Sequence, residues 1–137
     1  MGARTAESRT SQSTDACDRL TVSLPWDVLV SDNDKYGVIG GRMILTSKYR
    51  KAKDSAHQLA QLQCLRNRVA GRIRITATLY EPDRLRARDV SNHTKLVHDS
   101  LIGAAYQDDS QIDDVHWIRG SVDASRPRLD LVIERIV

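Results

Sequence analysis

Apolar and polar residues alternate along Leu20-Thr-Val-Ser-Leu24, the two-residue period of a half-buried strand, and Pro25 ends the run. Val28–Val30 is a short apolar patch with no decisive period. Ser31-Asp-Asn-Asp34 reads as a turn-rich loop, and Gly37 to Gly41 extends the irregular stretch. Met43–Leu45 is long enough for a short strand. From Tyr49 the small and apolar residues recur at Ala52, Ala56, Leu59, Ala60 and Cys64, which is helical spacing with one buried face. Thr46 or Ser47 is the expected N-cap. Ile73, Ile75, Ala77 and Leu79 then alternate with Arg72, Arg74, Thr76 and Thr78, the clearest strand of the chain.

Pro82 breaks that strand and opens a basic loop to Arg88. A second helix is expected from a cap at Ser91 to Gly103 at its C′ position, with Val90, Thr94, Val97 and Leu101 on one face. Val115–Val122 and Leu129–Ile136 read as two strands, and Ser125-Arg-Pro127 suits a turn that would join them as an antiparallel hairpin. Strands interleaved with two main helices predict one small α/β (α+β) domain around a mixed β-sheet. We place that domain at residues 19–137. Residues 1–18 are polar and read as a disordered tail, because too little apolar surface is present to offset the entropy of ordering. They lack the apolar core of a secretory signal.

The length, 137 residues, suits one domain with a real core. No apolar run is long enough to span a bilayer, so no membrane association is expected. Cys17 and Cys64 make no zinc or redox spacing and read as two reduced thiols of a cytoplasmic protein. The net charge of +3 says little; its distribution says more. Arg66, Arg68, Arg72, Arg74, Arg84, Arg86 and Arg88 crowd the middle of the chain. Asp108, Asp109, Asp113 and Asp114 follow. Cations that hold a phosphate backbone, leading to carboxylates that hold a metal, are the parts of a metal-dependent nuclease.

Magnesium takes oxygen ligands and is commonly held by one or two carboxylates, with water and substrate phosphate completing its shell. Asp89, ahead of the second helix, and Asp109, after it, are candidates for one ion. Lys95 stands in the first turns of that helix, where a cation opposes the helix dipole. Such a violation of a local rule suits a lysine that meets a phosphate or a leaving oxyanion. Alone, Lys95 would read as a solvated helix lysine paired with Asp99, four residues on.

The string Arg84-x-Arg-x-Arg-Asp-x-x-Asn-x-x-Lys95, then Asp99-x-Leu, then Asp108-Asp-x-Gln-Ile112, resembles the RusA family of Holliday junction resolvases. Leu20-Thr-Val-Ser-Leu-Pro-Trp26 is similar to the family's opening strand, so the resemblance covers nearly all of the chain beyond the tail. It implies a homodimer that binds four-way junction DNA and makes paired, symmetric nicks with Mg²⁺ in recombination and repair. It places the protein in the cytoplasm of a bacterial or phage-infected cell. By match, Asp89 and Asp109 are metal aspartates and Lys95 is the catalytic lysine. Asp108 is a metal ligand, a partner one step out from the metal, or a turn residue, with the middle role preferred. Asn92 is the motif asparagine.

One departure matters. The family pattern is Asp-x-Asp-Asn, and here Ser91 replaces the second aspartate. Either Ser91 is a weak or water-mediated ligand and catalysis survives, or metal binding is crippled and a junction- or DNA-binding protein remains. Magnesium's modest demand for protein ligands favours the first.

Arg84, Arg86 and Arg88 fall two apart, so in an extended loop they would share a side and meet DNA. Asn33 and Lys35 are further candidates for DNA contact. Lys48, Arg50, Lys51 and Lys53 line either the DNA face or the wet side of a helix. His93, His98 and His116 form no metal or triad set. Asp113 and Asp114 suit turn chemistry. Trp26 and Trp117 read as core or dimer residues, and Tyr106 as core or stacking.

Overall fold

The strand expected around Ile73 is the backbone of the fold. The computed structural model describes residues 15–136. Its strands are β1 (Asp15–Cys17), β2 (Arg19–Pro25), β3 (Tyr36–Ile39), β4 (Arg42–Leu45), β5 (Asn67–Val69), β6 (Ile73–Tyr80), β7 (Ile112–Arg119) and β8 (Arg128–Arg135). Its helices are α1 (Ser47–Cys64) and α2 (Thr94–Leu101), giving a single small α+β domain with two helices and a mixed sheet. The main sheet has the order β2-β8-β6-β7. In β6 every second residue is buried: Ile73, Ile75, Ala77 and Leu79. Leu129, Leu131 and Ile133 of β8 and Val22 and Leu24 of β2 continue that buried face. Helix α1 lies over it with Tyr49, Ala52, Ala56, Ala60 and Cys64 buried. Alanine at four-residue spacing lets the helix approach the sheet closely. The Thr46 hydroxyl accepts the Tyr49 N–H at 3.2 Å and caps the helix as expected.

Two expectations need correction. Residues 112–119 and 128–135 do not form a hairpin. Strand β6 lies between them, parallel to β7 and antiparallel to β8. Strands β6 and β8, each with a fully buried face, take the central positions. Strand β7 is largely exposed, with Val115 and Ile118 open to solvent, and suits an edge. The turn at Ser125–Pro127 exists, tied by the Asp123 carboxylate to the Arg126 N–H at 3.0 Å, but it crosses the end of β6. Second, the stretch Gly37–Gly41 is no loop. Strands β3 and β4 pair antiparallel around Gly40 and Gly41, whose φ values of 58° and 77° are those of a two-residue hairpin turn. This hairpin leaves Tyr36, Val38, Ile39, Met43 and Ile44 exposed.

The expected tail boundary at residue 18 falls late. Asp15–Cys17 pairs in parallel with β5, a short strand that the sequence did not announce. The rest of the tail, 1–14, lies outside the described residues. No described helix is long and apolar enough to cross a membrane.

Parallel pairing of β6 with β7 has a functional consequence. Helix α2 makes the crossover between them, so the carboxyl ends of both strands reach the same rim. Ligand crevices form at such rims, because the connecting loops diverge there.

Candidate active site

The loop that leaves β6 carries the motif. Glu81 follows the strand directly and is fully buried. Its carboxylate accepts from Arg84, Arg119 and Arg88, the last at 3.2 Å. Burial by itself raises the carboxyl pKa, but the hydrogen bonds and charges of these arginines outweigh it and hold Glu81 below its usual range. Arg84 also donates to the Gly120 carbonyl at 2.8 Å, Arg119 donates to the Arg88 carbonyl, and Arg88 lies over the Trp26 ring at 5.3 Å. The loop is therefore not extended. Arg84 and Arg88 turn in to Glu81, whereas Arg86 faces the clefts on either side of the loop.

Beyond the loop, Asp89 to His93 make a turn in which the Asn92 N–H donates to the Asp89 carbonyl at 3.1 Å. The expected cap at Ser91 is displaced, and α2 starts only at Thr94. The carboxylate that serves its first turn comes from far away in sequence. Asp32 accepts the Lys95 N–H at 3.0 Å and the Leu96 N–H at 3.2 Å. The Asp32 N–H in turn donates to the Asn92 carbonyl at 2.8 Å, so the Ser31–Asp34 turn and the motif turn are stitched together. A carboxylate at a helix N-terminus both satisfies orphan N–H groups and complements the dipole.

The result is an open cleft of about 620 Å³ lined by Trp26, Asn33, Arg86, Arg88, Asp89 and Asn92, among others. Asn33, Asn92, Arg86, Arg88 and Asp89 are thus gathered in one place. Lys35 is directed elsewhere, over the Tyr36 and Tyr49 rings at 5.2 and 5.5 Å. Lys48 lines the cleft and stands 4.0 Å from Asp34. His93 closes the floor, buried, its Nδ1–H donating to the Val30 carbonyl at 3.1 Å.

Asp109 lies at the far end of α2, in the 3₁₀ turn Asp109–Gln111 that precedes β7. Gln111 accounts for the last part of the motif. Its side-chain carbonyl accepts the Gln107 and Asp108 N–H groups, and its amide donates to Val69 and Gly71 carbonyls. Asp108 is held by the Ser110 hydroxyl at 2.5 Å, which is the main cause of its lowered pKa. Lys95 pairs with Asp99 at 3.3 Å. His98, whose Nε2 is buried without a partner, feels Asp99, Lys95, Asp109 and Asp32; burial lowers its pKa first of all. Tyr106 belongs to the core, its hydroxyl donating to the His98 carbonyl at 2.8 Å. Asp113 and Asp114 pair with Arg72 and Arg74 on the sheet, away from the loop.

The acidic donors are hard oxygens, of the kind magnesium takes. Among the described residues, however, no three acidic, histidine or cysteine side chains converge as a metal-holding group. A magnesium ion held by one or two carboxylates takes its remaining ligands from water and substrate oxygens. Glu81 and Asp32 are the residues that reading the sequence missed. Asp32 reaches Lys95 across 63 residues and Glu81 reaches Arg119 across 38, separations that no local pattern marks.

A loop of arginines interleaved with carboxylates, at the carboxyl rim of parallel strands in a mixed sheet, defines a nuclease-like α+β domain. Residues 25–134 match the family model described as Endodeoxyribonuclease RusA, and the chain belongs to that family. No curated protein matches the chain. Membership makes it a protein of the endodeoxyribonuclease class that includes Holliday junction resolvases.

Proposed function

We propose that this chain is a Mg²⁺-dependent, structure-selective endodeoxyribonuclease that resolves four-way DNA junctions by paired symmetric nicks. The observation that carries the proposal is the placement of Asp89 in a cleft with Asn33, Asn92, Arg86 and Arg88 at the rim of parallel strands. Asp89 would hold the ion from the cleft, and Asp109, at the far end of α2, would have to approach it to be the second carboxylate, with Ser91 contributing through water and Asp108 bracing Asp109's turn. When bound, magnesium activates water and offsets phosphate charge. Arg86, with Arg84 and Arg88, draws the DNA backbone in, Asn33 and Asn92 line the same cleft, and Lys35 would have to leave the Tyr36 and Tyr49 rings to join them. These contacts fix position without reading sequence, which suits recognition by junction shape. Lys95 steadies the charge that develops on the phosphate. To do so it must exchange Asp99 for phosphate, and a partly exposed pair of this kind holds it by about 1 kcal/mol.

Two strands must be cut at related points, so a two-fold homodimer matches the substrate. The setting is DNA recombination and repair in the cytoplasm of a bacterial or phage-infected cell. The test is cleavage of a synthetic four-way junction and of a linear duplex of the same sequence, with and without Mg²⁺. Metal-dependent cutting confined to the junction supports the proposal. Junction binding without cleavage in any divalent metal refutes it in favour of a second reading, a catalytically impaired DNA-binding protein of the same fold. Ser91 motivates that second reading, and Ser91→Asp separates the two: activity gained marks a degraded site, activity lost marks serine as native to the chemistry.

A further inference from the structure

A fully buried carboxylate is costly unless its partners repay the lost water, and Glu81 has more partners than that purpose needs. One arginine would neutralise it. Three converge on it, Arg84 and Arg88 from the loop and Arg119 from the end of β7. Three guanidinium charges against one carboxylate leave an excess of two, and Asp83, 3.3 Å from Arg88, offsets one of these. The remaining excess lies with Arg84 and Arg119, whose side chains stay 43% and 35% exposed, whereas that of Arg88 is 19% exposed. Arg86 opens onto the same side. Together Arg84, Arg86, Arg88 and Arg119 line a second cleft of about 420 Å³ that borders Asp89.

Positive charge gathered along a shallow cleft attracts anions, and the guanidinium fork matches two phosphate oxygens at once. A knot that served stability alone would have no reason to keep two of its three cations facing solvent. We propose that Glu81 is the positioning residue of a second phosphate site, formed by Arg84, Arg86 and Arg119, that takes a backbone phosphodiester adjacent to the one cut near Asp89. The inference rests on the nuclease reading of the Asp89 cleft and adds to it a distinct subsite with its own organiser. Held at fixed spacing by one buried anion, Arg84 and Arg119 meet the DNA as a preformed pair beside Arg86 and lose little side-chain freedom on binding.

The sign of one substitution discriminates this from plain charge attraction. Glu81→Gln raises the net charge by one. Were the cations effective wherever they pointed, junction affinity at low salt would rise. If position is what Glu81 supplies, affinity falls despite the added charge. The measurement is junction binding without divalent metal, followed across salt concentration, for wild type, Glu81→Gln, Arg119→Ala and Arg119→Lys, with thermal unfolding of each. We expect Glu81→Gln to weaken binding by roughly tenfold or more. Arg119→Ala should lower the salt slope by about one, with Arg119→Lys recovering the slope but not the full affinity. Glu81→Gln binding as tightly as wild type, or an unchanged slope in a folded Arg119→Ala, overturns the proposal. If Glu81→Gln does not fold, Arg119→Ala decides alone. Wild type that binds the junction without cutting it refutes the nuclease reading and leaves these slopes to judge the cradle, while wild type that binds no junction overturns both.

Discussion

Replacing Asp32 by alanine removes the side-chain acceptor that the described residues place at the first turn of α2. Two backbone N–H groups, those of Lys95 and Leu96, lose a carboxylate that they meet at 3.0 and 3.2 Å. Loss of a capping side chain costs about 1 kcal/mol, and loss of a carboxylate from a helix N-terminus a further ~0.3–1 kcal/mol. Asp32 is half-exposed, so water replaces part of both, and we expect a total of about 1–2 kcal/mol. For a domain of this size that lowers Tm by about 3–8 °C. Asparagine caps nearly as well as aspartate, so Asp32→Asn should retain most of the stability and lose only the part due to charge. Asp34→Ala is the control, since its ion pair with Lys48, at 4.0 Å, joins two exposed side chains. Urea unfolding of the three variants measures the energies, and hydrogen exchange at Lys95 and Leu96 localises the effect. An alanine variant as stable as wild type, or an asparagine variant as damaged as alanine, would refute the capping argument.

Other consequences can be checked independently. Burial pushes the Cys64 thiol up to about 11, and the side chain is 1% exposed, so Cys64 should resist alkylation at pH 8 until the protein unfolds; mass spectrometry of iodoacetamide-treated native protein reads this directly. Burial lowers His93 and His98 below their ordinary value of 6.5, so the unfolded chain binds more protons there. Stability should be full above that pH and fall as pH drops through it, with a second loss below about 4.5 as Glu81 and the paired aspartates Asp113, Asp114 and Asp123 take up protons; a flat profile between pH 7 and 5 contradicts the buried neutral histidines. A Cβ at Gly120 would meet the Tyr80 ring at 2.8 Å and Thr78 at 3.1 Å, so Gly120→Ala should cost about 1–3 kcal/mol in denaturant unfolding, and a neutral substitution would show that the ring yields freely.

What the sequence disclosed follows from the range of each interaction. Helix α1 and strand β6 were legible because their periods are local, and Thr46 capped as expected because a cap acts over three residues. Leu129–Ile136 was legible as a strand, but a strand's own sequence says nothing about which strand lies alongside, and proximity in sequence suggested the wrong neighbour. Strands β1 and β5, three residues each, carry too few positions to show a period. At the site, the order of Asp89, Asn92, Lys95 and Asp109 was legible as a motif. The groups that fix its geometry were not: Asp32 reaches Lys95 across 63 residues, and Arg119 reaches Glu81 across 38. The even spacing of Arg84, Arg86 and Arg88 misled for the same reason. It describes an extended chain, and a buried carboxylate next to the loop bends it.

The central claim is that Asp89 serves a metal-dependent cut in junction DNA. Its most direct test is to map nicks on a four-way junction with Mg²⁺ for wild type and for Asp89→Asn, with binding measured in parallel. The account predicts paired nicks at symmetric positions on strands of like polarity from wild type, and no nicks from Asp89→Asn although it still binds the junction. Undiminished cleavage by Asp89→Asn would contradict it.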